Sequence, residues 1–447
     1  MAEWTYYISL AIPSDDQSRL LLFEYDGLWR QPVVILHALF NNLYILPRTV
    51  HEQFGLDVTI LRTLARQVDE EAHTMQAIWL VENHTRDWNP PQNARWINRA
   101  ELDGLVLADE WMRPALENIL DTLTDAPPPQ RPPWFMPGWF ATAEAWIDSV
   151  LTAKGYEMLR PPEHFKHGTI SSVLRTETSA GNIYFKVALT LPLFGHEPTL
   201  TTALGELYPD IIPSPLAIDK SRRWMLTADI GTELRTSNPS LEMLEMVVKT
   251  FAHLQSNSAS HIDSLFAAGC LDRRLDVLVG QIDGLLADEG CCTRLTAEER
   301  AEWQASGDQL KVLCQRLASY AIPYTLVHGD FHAGNIALQG EKIRFFDWTD
   351  ACVTHPFFDL PVLIEYDAQE HADALRDAYL AEWTAYESLE RLHEAYAISS
   401  ILGSLHQAVS YQGIFNGMEV DQRSGWDFGV PTFARRILKE IKTLPTI

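Results

Sequence analysis

The sequence predicts an α+β protein in which a mixed α/β domain precedes a two-lobed domain with a small β-rich lobe and a large helical lobe. Three observations predict this architecture. The chain of 447 residues is too long for a single core. A proline-rich segment, 126–133, interrupts it with five prolines in eight residues. Beyond that segment, strand patterns cluster between residues 171 and 228, and helical patterns dominate from residue 241 onward.

Local patterns place the boundaries of these parts. In the first domain, residues 20–25 and 76–82 show strand patterns. After the prolines, helical spacing of apolar residues starts at Trp139 and stops before Gly155, a residue typical of a helix C-cap. The predicted parts are a mixed α/β domain (1–125), a proline-rich linker (126–137), a β-rich lobe (138–228) and a helical lobe (229–447).

The composition is that of a globular protein with an acidic surface. Hydrophobic residues make up 46% of the chain and aromatic residues 10%, so it can bury large cores. The 35 Lys and Arg are outnumbered by 60 Asp and Glu, and the net charge of −25 repels nucleic-acid phosphates and anionic lipids. We therefore expect no nucleic-acid partner. The charge suits either a cationic ligand or a solvated surface.

The sequence predicts no membrane anchor and no export signal. No apolar run reaches the roughly 18 to 20 residues that span a bilayer, and Glu3 stands where a secretory signal carries Lys or Arg. The five cysteines lack metal-binding spacing and are expected to be reduced. These observations predict a cytoplasmic protein that does not bind membranes.

The residues most indicative of chemistry lie in two segments, 327–336 and 343–350. Asp330 is followed five residues later by Asn335, and Asp347 comes at the end of an apolar strand pattern. Phosphoryl transfer from a metal-bound nucleotide needs one carboxylate facing the attacking hydroxyl, and an amide oxygen and a second carboxylate on the metal. The alternative is a hydrogen-bonded loop, since Asp, Asn and Gly are common turn residues.

These segments resemble the aminoglycoside phosphotransferase and choline kinase family, which has a protein-kinase-like fold. The family's catalytic loop, H-G-D-x-x-x-x-N, matches residues 328–335, and its I-D-W metal loop matches residues 346–348. The resemblance implies that Asp330 is the catalytic base or orienting carboxylate. It also implies that Asn335 and Asp347 bind Mg²⁺.

A kinase also needs a cation on the nucleotide phosphates and a carboxylate that holds the cation in place. Lys186 lies in a strand pattern, and Glu197 begins a helical pattern that resembles the segment of the family carrying the lysine's partner. Glu206 is the competing candidate for that partner. The alternative for Lys186 is an edge-strand lysine that discourages aggregation.

Other nucleotide contacts follow from the same resemblance. The turn 178–182, which includes Ser179, is expected to cover the phosphates, although it lacks a full glycine-rich pattern. Thr227 and Ala228 lie where strand patterns give way to helical ones and are expected to offer backbone hydrogen bonds to adenine.

Further positions concern the helical lobe. Asp350 and Asp359 match additional acidic positions of the family, of which the second is structural. His406 and Tyr411 are candidates for lining the acceptor pocket. The alternative for these two is an aromatic helix packed in the core.

The first domain carries a second, degenerate resemblance, to the Nudix hydrolases. Residues 48–56 match the second half of the Nudix box, but Thr49 and Gln53 replace two of its three carboxylates and leave Glu52. Residues 94–102 resemble a later strand-to-helix segment of the same fold. Hydrolysis by this fold requires several carboxylates that together bind a metal cluster. One carboxylate is not enough, so hydrolysis is not expected. We expect a docking module for a partner; the alternative is an unrelated α/β domain.

Together, these features predict a Mg²⁺-dependent small-molecule kinase. It would move the γ-phosphoryl of ATP or GTP to a hydroxyl of an aminoglycoside-like or other small acceptor. One alternative is a sugar or amino-alcohol kinase without a part in antibiotic resistance. Another is a pseudokinase scaffold, which the presence of Lys186, Asp330, Asn335 and Asp347 argues against.

Overall fold

Helices and β-sheets both occur in the part of the chain that a computed structural model describes, residues 4–37, 43–85, 88–340 and 342–444. This confirms the predicted mixed α+β class. The chain divides into two units, Met1–Val187 and Ala188–Ile447. The finer domain limits at residues 125, 137 and 228 stay predictions.

The first unit contains three sheets. Its strands are β1 (Thr5–Ala11), β2 (Leu20–Tyr25), β3 (Leu28–Arg30), β4 (Val33–Leu36), β5 (Val58–Asp69), β6 (Thr74–Asn83), β7 (Ala94–Ile97), β8 (Glu163–His167), β9 (Ser171–Thr178) and β10 (Gly181–Ala188). Its helices are α1 (Ile45–Phe54), α2 (Arg99–Leu102), α3 (Arg113–Thr122) and α4 (Trp139–Ala153). The strand orders are β4-β1-β6-β5, β3-β2-β7 and β8-β9-β10.

The N-terminal sheets confirm the local predictions made for this region. The strands predicted at 20–25 and 76–82 are β2 and part of β6. Strand β1 pairs with β6 in parallel and with β4 antiparallel, so the four-stranded sheet is mixed. Helix α1 ends at Gly55, whose left-handed φ of 66° favours glycine. Glu52 is exposed on that helix, and the Nudix-like fold stays a prediction.

The proline-rich segment forms neither a helix nor a strand before the 3₁₀ turn Pro133–Phe135. The next element is α4, which covers the predicted helix, and Gly155 follows it with a φ of 73°. Trp139 of α4 packs against Phe185 of β10, with ring centroids 5.9 Å apart. In β10 the buried Phe185 alternates with the half-buried Lys186, as expected when successive side chains face opposite sides of a strand.

Two buried histidines lie on β8 of the first unit. The rings of His164 and His167 are 4.6 Å apart. His167 Nε2 donates to the Leu61 carbonyl at 2.8 Å, whereas neither ring nitrogen of His164 has a hydrogen-bond partner among the described residues. Burial lowers the pKa of His167 to about 4, and burial followed by the charge of His167 lowers the pKa of His164 well below its usual range. Both imidazoles are therefore neutral at pH 7.

This pair predicts a loss of stability in mild acid. The unfolded imidazoles take up protons as the pH falls below about 6.5, whereas the folded ones do not until much lower pH. Each should cost about 1.4 kcal/mol of unfolding free energy between pH 7.5 and 5.5. We expect His164→Leu to reduce the loss measured by urea unfolding, and the exposed control His51→Leu to leave it unchanged. An equal loss in the wild type and His164→Leu would contradict the prediction.

The second unit is mainly helical. Its helices are α5 (Glu197–Leu207), α6 (Leu241–Ser258), α7 (Ile262–Ala267), α8 (Leu275–Ala287), α9 (Ala297–Ala305), α10 (Gly307–Leu317), α11 (Leu360–Asp367), α12 (Ala372–Ala381), α13 (Leu389–Gly417) and α14 (Gly429–Ile441). Its strands are β11 (Ala217–Asp219), β12 (Trp224–Ala228), β13 (Thr232–Glu233), β14 (Leu271–Asp272), β15 (Thr325–Val327), β16 (Ile336–Gln339), β17 (Lys342–Phe345) and β18 (Cys352–Thr354).

Small sheets in this unit carry the two loops of the sequence motif on a large apolar core. The strand orders are β13-β16-β17 and β14-β18-β15, and β11 pairs with β12. The core includes four fully buried large side chains, Phe251, Trp303, Trp348 and Trp383. All five cysteines are buried and free. Within the described residues, no helix is both long and apolar enough to cross a bilayer.

Candidate active site

The loop between β15 and β16 brings Asp330 and Asn335 together. The amide nitrogen of Asn335 donates to the Asp330 backbone carbonyl at 2.9 Å and to its carboxylate Oδ2 at 3.1 Å. Both hydrogen bonds use the Nδ2 atom, so they set the orientation of the amide and leave the Oδ1 oxygen as a potential cation ligand. Asn335 is 6% exposed. The spacing of five residues therefore produces a carboxylate beside a fixed amide, as the motif predicts.

The carboxylate of Asp330 is accessible and ionised. Its side chain is 47% exposed, and His332 Nε2 lies 3.4 Å from Oδ2. Desolvation opposes ionisation, but the hydrogen bond and charge of His332 outweigh it and lower the pKa of Asp330. Desolvation likewise opposes protonation of His332, whose pKa is nevertheless raised by Asp330. Asp330 is therefore favoured as a carboxylate and His332 as an imidazolium, and the two opposite charges pair.

The buried carboxylate of Asp359 accepts hydrogen bonds from the backbone of this loop. Asp359 is 1% exposed and accepts hydrogen bonds from the backbone N–H groups of His328 (2.8 Å) and Gly329 (2.9 Å) and from the Gln255 amide (3.2 Å). Burial raises the pKa of Asp359 to about 7, against the effect of the two backbone bonds. The structural character that the resemblance implied for this residue agrees with these contacts.

Gly329 is required where the loop turns. Its φ is 82°, and a Cβ atom at this position would collide with the backbone carbonyl of Asp350. The Gly329 carbonyl accepts a 2.6 Å hydrogen bond from Gln407 of α13. His328 is fully buried and donates from Nε2 to the Phe346 carbonyl at 2.9 Å. These contacts fix the backbone immediately before Asp330.

Asp347 lies close to this loop because β16 and β17 pair. Ile336 is opposite Phe345, and the Phe346 N–H donates to the Asn335 carbonyl at 3.1 Å. Asp347 follows with a left-handed φ of 65°, which is uncommon for a non-glycine residue and costs energy that the surrounding structure must offset. Such a conformation at a predicted metal ligand is consistent with a functional constraint.

A threonine links Asp347 to Glu197. Thr349 Oγ1 lies 2.9 Å from Asp347 Oδ1 and 3.0 Å from Glu197 Oε2. Glu197 is the first residue of α5 and is 3% exposed, whereas its competitor Glu206 is exposed on the same helix. Within the second unit, the structure therefore places Glu197, and not Glu206, beside the predicted metal ligand.

The remaining predicted nucleotide residues lie on strands or in the turn between two strands. Ser179 is in the two-residue turn that joins β9 to β10, and Lys186 is five residues beyond the start of β10. At about 3.3 Å per residue, about 16 Å of strand separates that turn from Lys186, so the structure does not bring the two together. Thr227 and Ala228 are the last residues of β12, beyond its paired stretch with β11.

The two candidates for the acceptor pocket, His406 and Tyr411, differ in burial. His406 is 2% exposed, and its backbone carbonyl accepts from the buried Arg273 at 3.0 Å, so His406 belongs to the core. Tyr411 is half-buried and packs against Phe433, with ring centroids 5.4 Å apart. Burial raises the pKa of Tyr411, and nearby negative charges, including Asp330, add to this effect. Its phenol therefore lies within electrostatic reach of the predicted base.

Several supporting residues were not predicted. Thr349 carries no signal in sequence, because a threonine two residues after an aspartate is ordinary. Asp367 accepts from the Ala333 N–H at 2.8 Å and pairs with Arg235 at 2.7 Å, which supports the turn between Asp330 and Asn335. Gln407 likewise acts from a distant helix. Such contacts join residues far apart in sequence, and only the fold brings them together.

A magnesium ion would need ligands from outside the protein as well. Among the described residues, no group of three or more His, Cys, Asp and Glu side chains could hold a metal ion by itself. Asn335 and Asp347 provide one amide oxygen and one carboxylate. Mg²⁺ is commonly bound by one or two such groups together with substrate phosphates and water. The residues present therefore fit a metal that arrives with a nucleotide.

Comparison with protein families agrees with the motif. Residues 217–394 match the model of the phosphotransferase enzyme family, and this segment contains Asp330, Asn335 and Asp347. The match confirms the predicted enzyme class, a kinase-type phosphotransferase. No curated protein matches the chain in sequence.

Solved structures with some similarity to the chain include kinases of small molecules. A choline/ethanolamine kinase family protein from Mesorhizobium loti is 15% identical, with a TM-score of 0.46 over 68% of this chain and 99% of that one. A choline kinase from Cryptosporidium parvum is 15% identical, with a TM-score of 0.48 over 69% and 93%. A GDP complex of an aminoglycoside 2'-phosphotransferase is 11% identical, with a TM-score of 0.44 over 66% and 99%.

Proposed function

We propose that the protein transfers the γ-phosphoryl group of ATP or GTP to a hydroxyl of an aminoglycoside-like or other small molecule, in a Mg²⁺-dependent reaction. One observation supports this most directly. The accessible carboxylate of Asp330 is held by the amide of Asn335, and that amide keeps its oxygen available for a cation. A hydrogen-bonded turn without a function would not need this combination at a half-exposed carboxylate.

In the proposed reaction, Asp330 positions the acceptor hydroxyl and receives its proton. The acceptor oxygen forms a bond to the γ-phosphorus, and the bond from that phosphorus to the bridging oxygen of the β-phosphate breaks. Asp330 is a weak base, because its pKa is lowered. A weak base suffices if the transition state is loose, since the hydroxyl then loses its proton late. His332 keeps the carboxylate ionised before the acceptor arrives.

The other predicted residues would bind the nucleotide and its cation. Asn335 and Asp347 would hold Mg²⁺, which when bound neutralises charge on the phosphates. Lys186 is proposed as a ligand of the α- and β-phosphates, Glu197 as a positioning carboxylate, and Ser179 as a phosphate contact. Thr227 and Ala228 are proposed to bind adenine through their backbone.

The proposal for the acceptor rests on the charge of the chain. The net charge of −25 is compatible with a cationic acceptor such as an aminosugar. A sugar or amino alcohol would suit the same chemistry. A docking function for residues 1–125 and a cytoplasmic location stay predictions.

The function can be tested by a panel of acceptors. The full chain is incubated with Mg²⁺, ATP or GTP, and aminoglycosides, amino alcohols and sugars in turn, and phosphorylated products are detected by mass spectrometry. We expect one class of acceptor to be phosphorylated and the reaction to stop with a chelator. Stabilisation by Mg²⁺ and nucleotide without any product would favour the pseudokinase scaffold instead.

The hydrogen bonds of Thr349 predict a dependence on Mg²⁺ concentration. Thr349→Val removes the hydroxyl that contacts both Asp347 and Glu197 while keeping the side-chain volume. Because a hydrogen bond to a charged group is worth about 1.5–3 kcal/mol, the Mg²⁺ concentration for half-maximal turnover should rise about tenfold or more. Thr349→Ser, which keeps the hydroxyl, should need the same Mg²⁺ concentration as the wild type. An unchanged Mg²⁺ dependence in Thr349→Val would show that the link does not position Asp347.

A further inference from the structure

Three arginines converge on a pocket of the first unit. The pocket has a volume of about 400 Å³ and is lined by Arg48 of α1, Arg160, Arg175 of β9, and two glutamates, Glu163 and Glu177. We call it the arginine pocket. It includes a sequence feature that the proposed function does not use, the basic position of the Nudix-like segment, Arg48.

Aromatic rings and carboxylates position the guanidinium groups. The Tyr44 ring lies 4.8 Å from the guanidinium carbon of Arg48 and 5.0 Å from that of Arg175. Glu163 forms ion pairs with both arginines, the one with Arg175 at 3.6 Å. Arg160 is 3.2 Å from a carboxylate oxygen of Glu177. Three cations and two carboxylates leave the pocket with a local charge of +1, in a chain whose net charge is −25.

The two carboxylates do not occupy all the N–H donors of the three arginines. Each guanidinium carries several N–H donors in a planar fork. Among the described residues, the single side-chain hydrogen bond from these three groups is the one from Arg48 to Glu163. The side chains of Arg48 and Arg160 are 47% and 62% exposed, and that of Arg175 is 27% exposed. Donors therefore remain for a ligand that enters the pocket.

We propose that the arginine pocket binds a small phosphate monoester. Guanidinium groups bind phosphate oxygens through paired, charge-assisted hydrogen bonds, and this geometry distinguishes them from lysine. The volume lies within the roughly 300–1,000 Å³ typical of small-molecule sites, so it has room for an organic body besides the phosphate. Asn182, which also lines the pocket, offers an amide for a neutral polar group of that body.

The arginine pocket is separate from Lys186, the proposed nucleotide-binding residue of the same sheet. Gly181, at the start of β10, lines the pocket, and Lys186 is five residues further along that strand. The intervening strand is about 16 Å long, which exceeds the reach of one phosphate group. The ligand would be bound by α1 together with β8 and β9. It would therefore stabilise the first unit by mass action whether or not the second unit transfers phosphate.

The test uses the full chain and two probes, inorganic phosphate and glucose 6-phosphate, in titrations by calorimetry at constant ionic strength. We expect saturable binding of both, with the ester binding more tightly. Arg48→Gln combined with Arg175→Gln should weaken binding at least about tenfold, and Arg160→Gln should weaken it severalfold. Arg160 is the most exposed of the three, so its variant keeps the test informative if the double variant does not fold.

Two further variants sharpen the result. Glu163→Gln removes the internal competitor of Arg48 and Arg175, and should tighten binding severalfold, an effect that a damaged fold cannot produce. Arg222→Gln is the matched control, because Arg222 also stacks on an aromatic ring (4.8 Å from Trp224) and pairs with an aspartate (3.6 Å from Asp219). It should leave binding unchanged. Absence of saturable binding up to tens of millimolar, or binding that none of the pocket variants alters, would overturn the proposal.

Discussion

Replacing Asp330 by asparagine is expected to lower kcat for phosphoryl transfer by about two to four orders of magnitude, the range typical of losing a general base. The amide keeps the size of the side chain and can still accept the hydrogen bond from Asn335. It cannot take a proton from the acceptor hydroxyl, and it no longer pairs electrostatically with His332. The measurement is single-turnover phosphorylation of the acceptor identified by the panel, with Mg²⁺ and nucleotide saturating.

Two controls separate chemistry from folding and binding. Asp283→Asn changes an aspartate whose side chain is 75% exposed and pairs with Lys311, and it should leave kcat unchanged. Nucleotide-dependent thermal stabilisation of Asp330→Asn should persist, because Asp330 is proposed to face the acceptor and not the nucleotide. Near-normal turnover by Asp330→Asn would remove this residue from the mechanism.

The part of the site that the sequence predicts well is the part formed by near neighbours. Asp330 and Asn335 share one loop, so their spacing nearly determines their contact once Gly329 permits the turn. Asp347 is reached through a single strand pairing, β16 with β17, whose apolar pattern is visible in sequence. The helix from Trp139 was likewise predicted from local periodicity alone.

The contacts that were missed join distant segments. Thr349 and Glu197 are 152 residues apart in the chain, and no periodicity relates them. The role expected of Ser179 came from the resemblance alone, and Lys186 lies five residues beyond the start of β10, about 16 Å along the strand.

Replacing Asp359, which accepts hydrogen bonds from the predicted catalytic loop, is expected to have a large effect on stability. Asp359→Ala removes the acceptor of two backbone N–H groups, those of His328 and Gly329, and of the Gln255 amide, all in a fully buried setting. Each buried donor left without a partner costs about 1–3 kcal/mol. We therefore expect a loss of about 3 to 5 kcal/mol in the free energy of unfolding, a large share of the roughly 5–15 kcal/mol typical of folded proteins.

Urea unfolding followed by circular dichroism gives the measurement, with two comparison variants. Asp373→Ala changes an aspartate whose side chain is 88% exposed, and should cost less than about 0.5 kcal/mol. Asp359→Asn keeps one oxygen acceptor and should lie between the two. Because the same N–H groups hold the backbone that precedes Asp330, Asp359→Asn should also lower kcat while Asp373→Ala does not. A stable Asp359→Ala protein with normal turnover would show that Gln407 and His328 position the loop without this carboxylate.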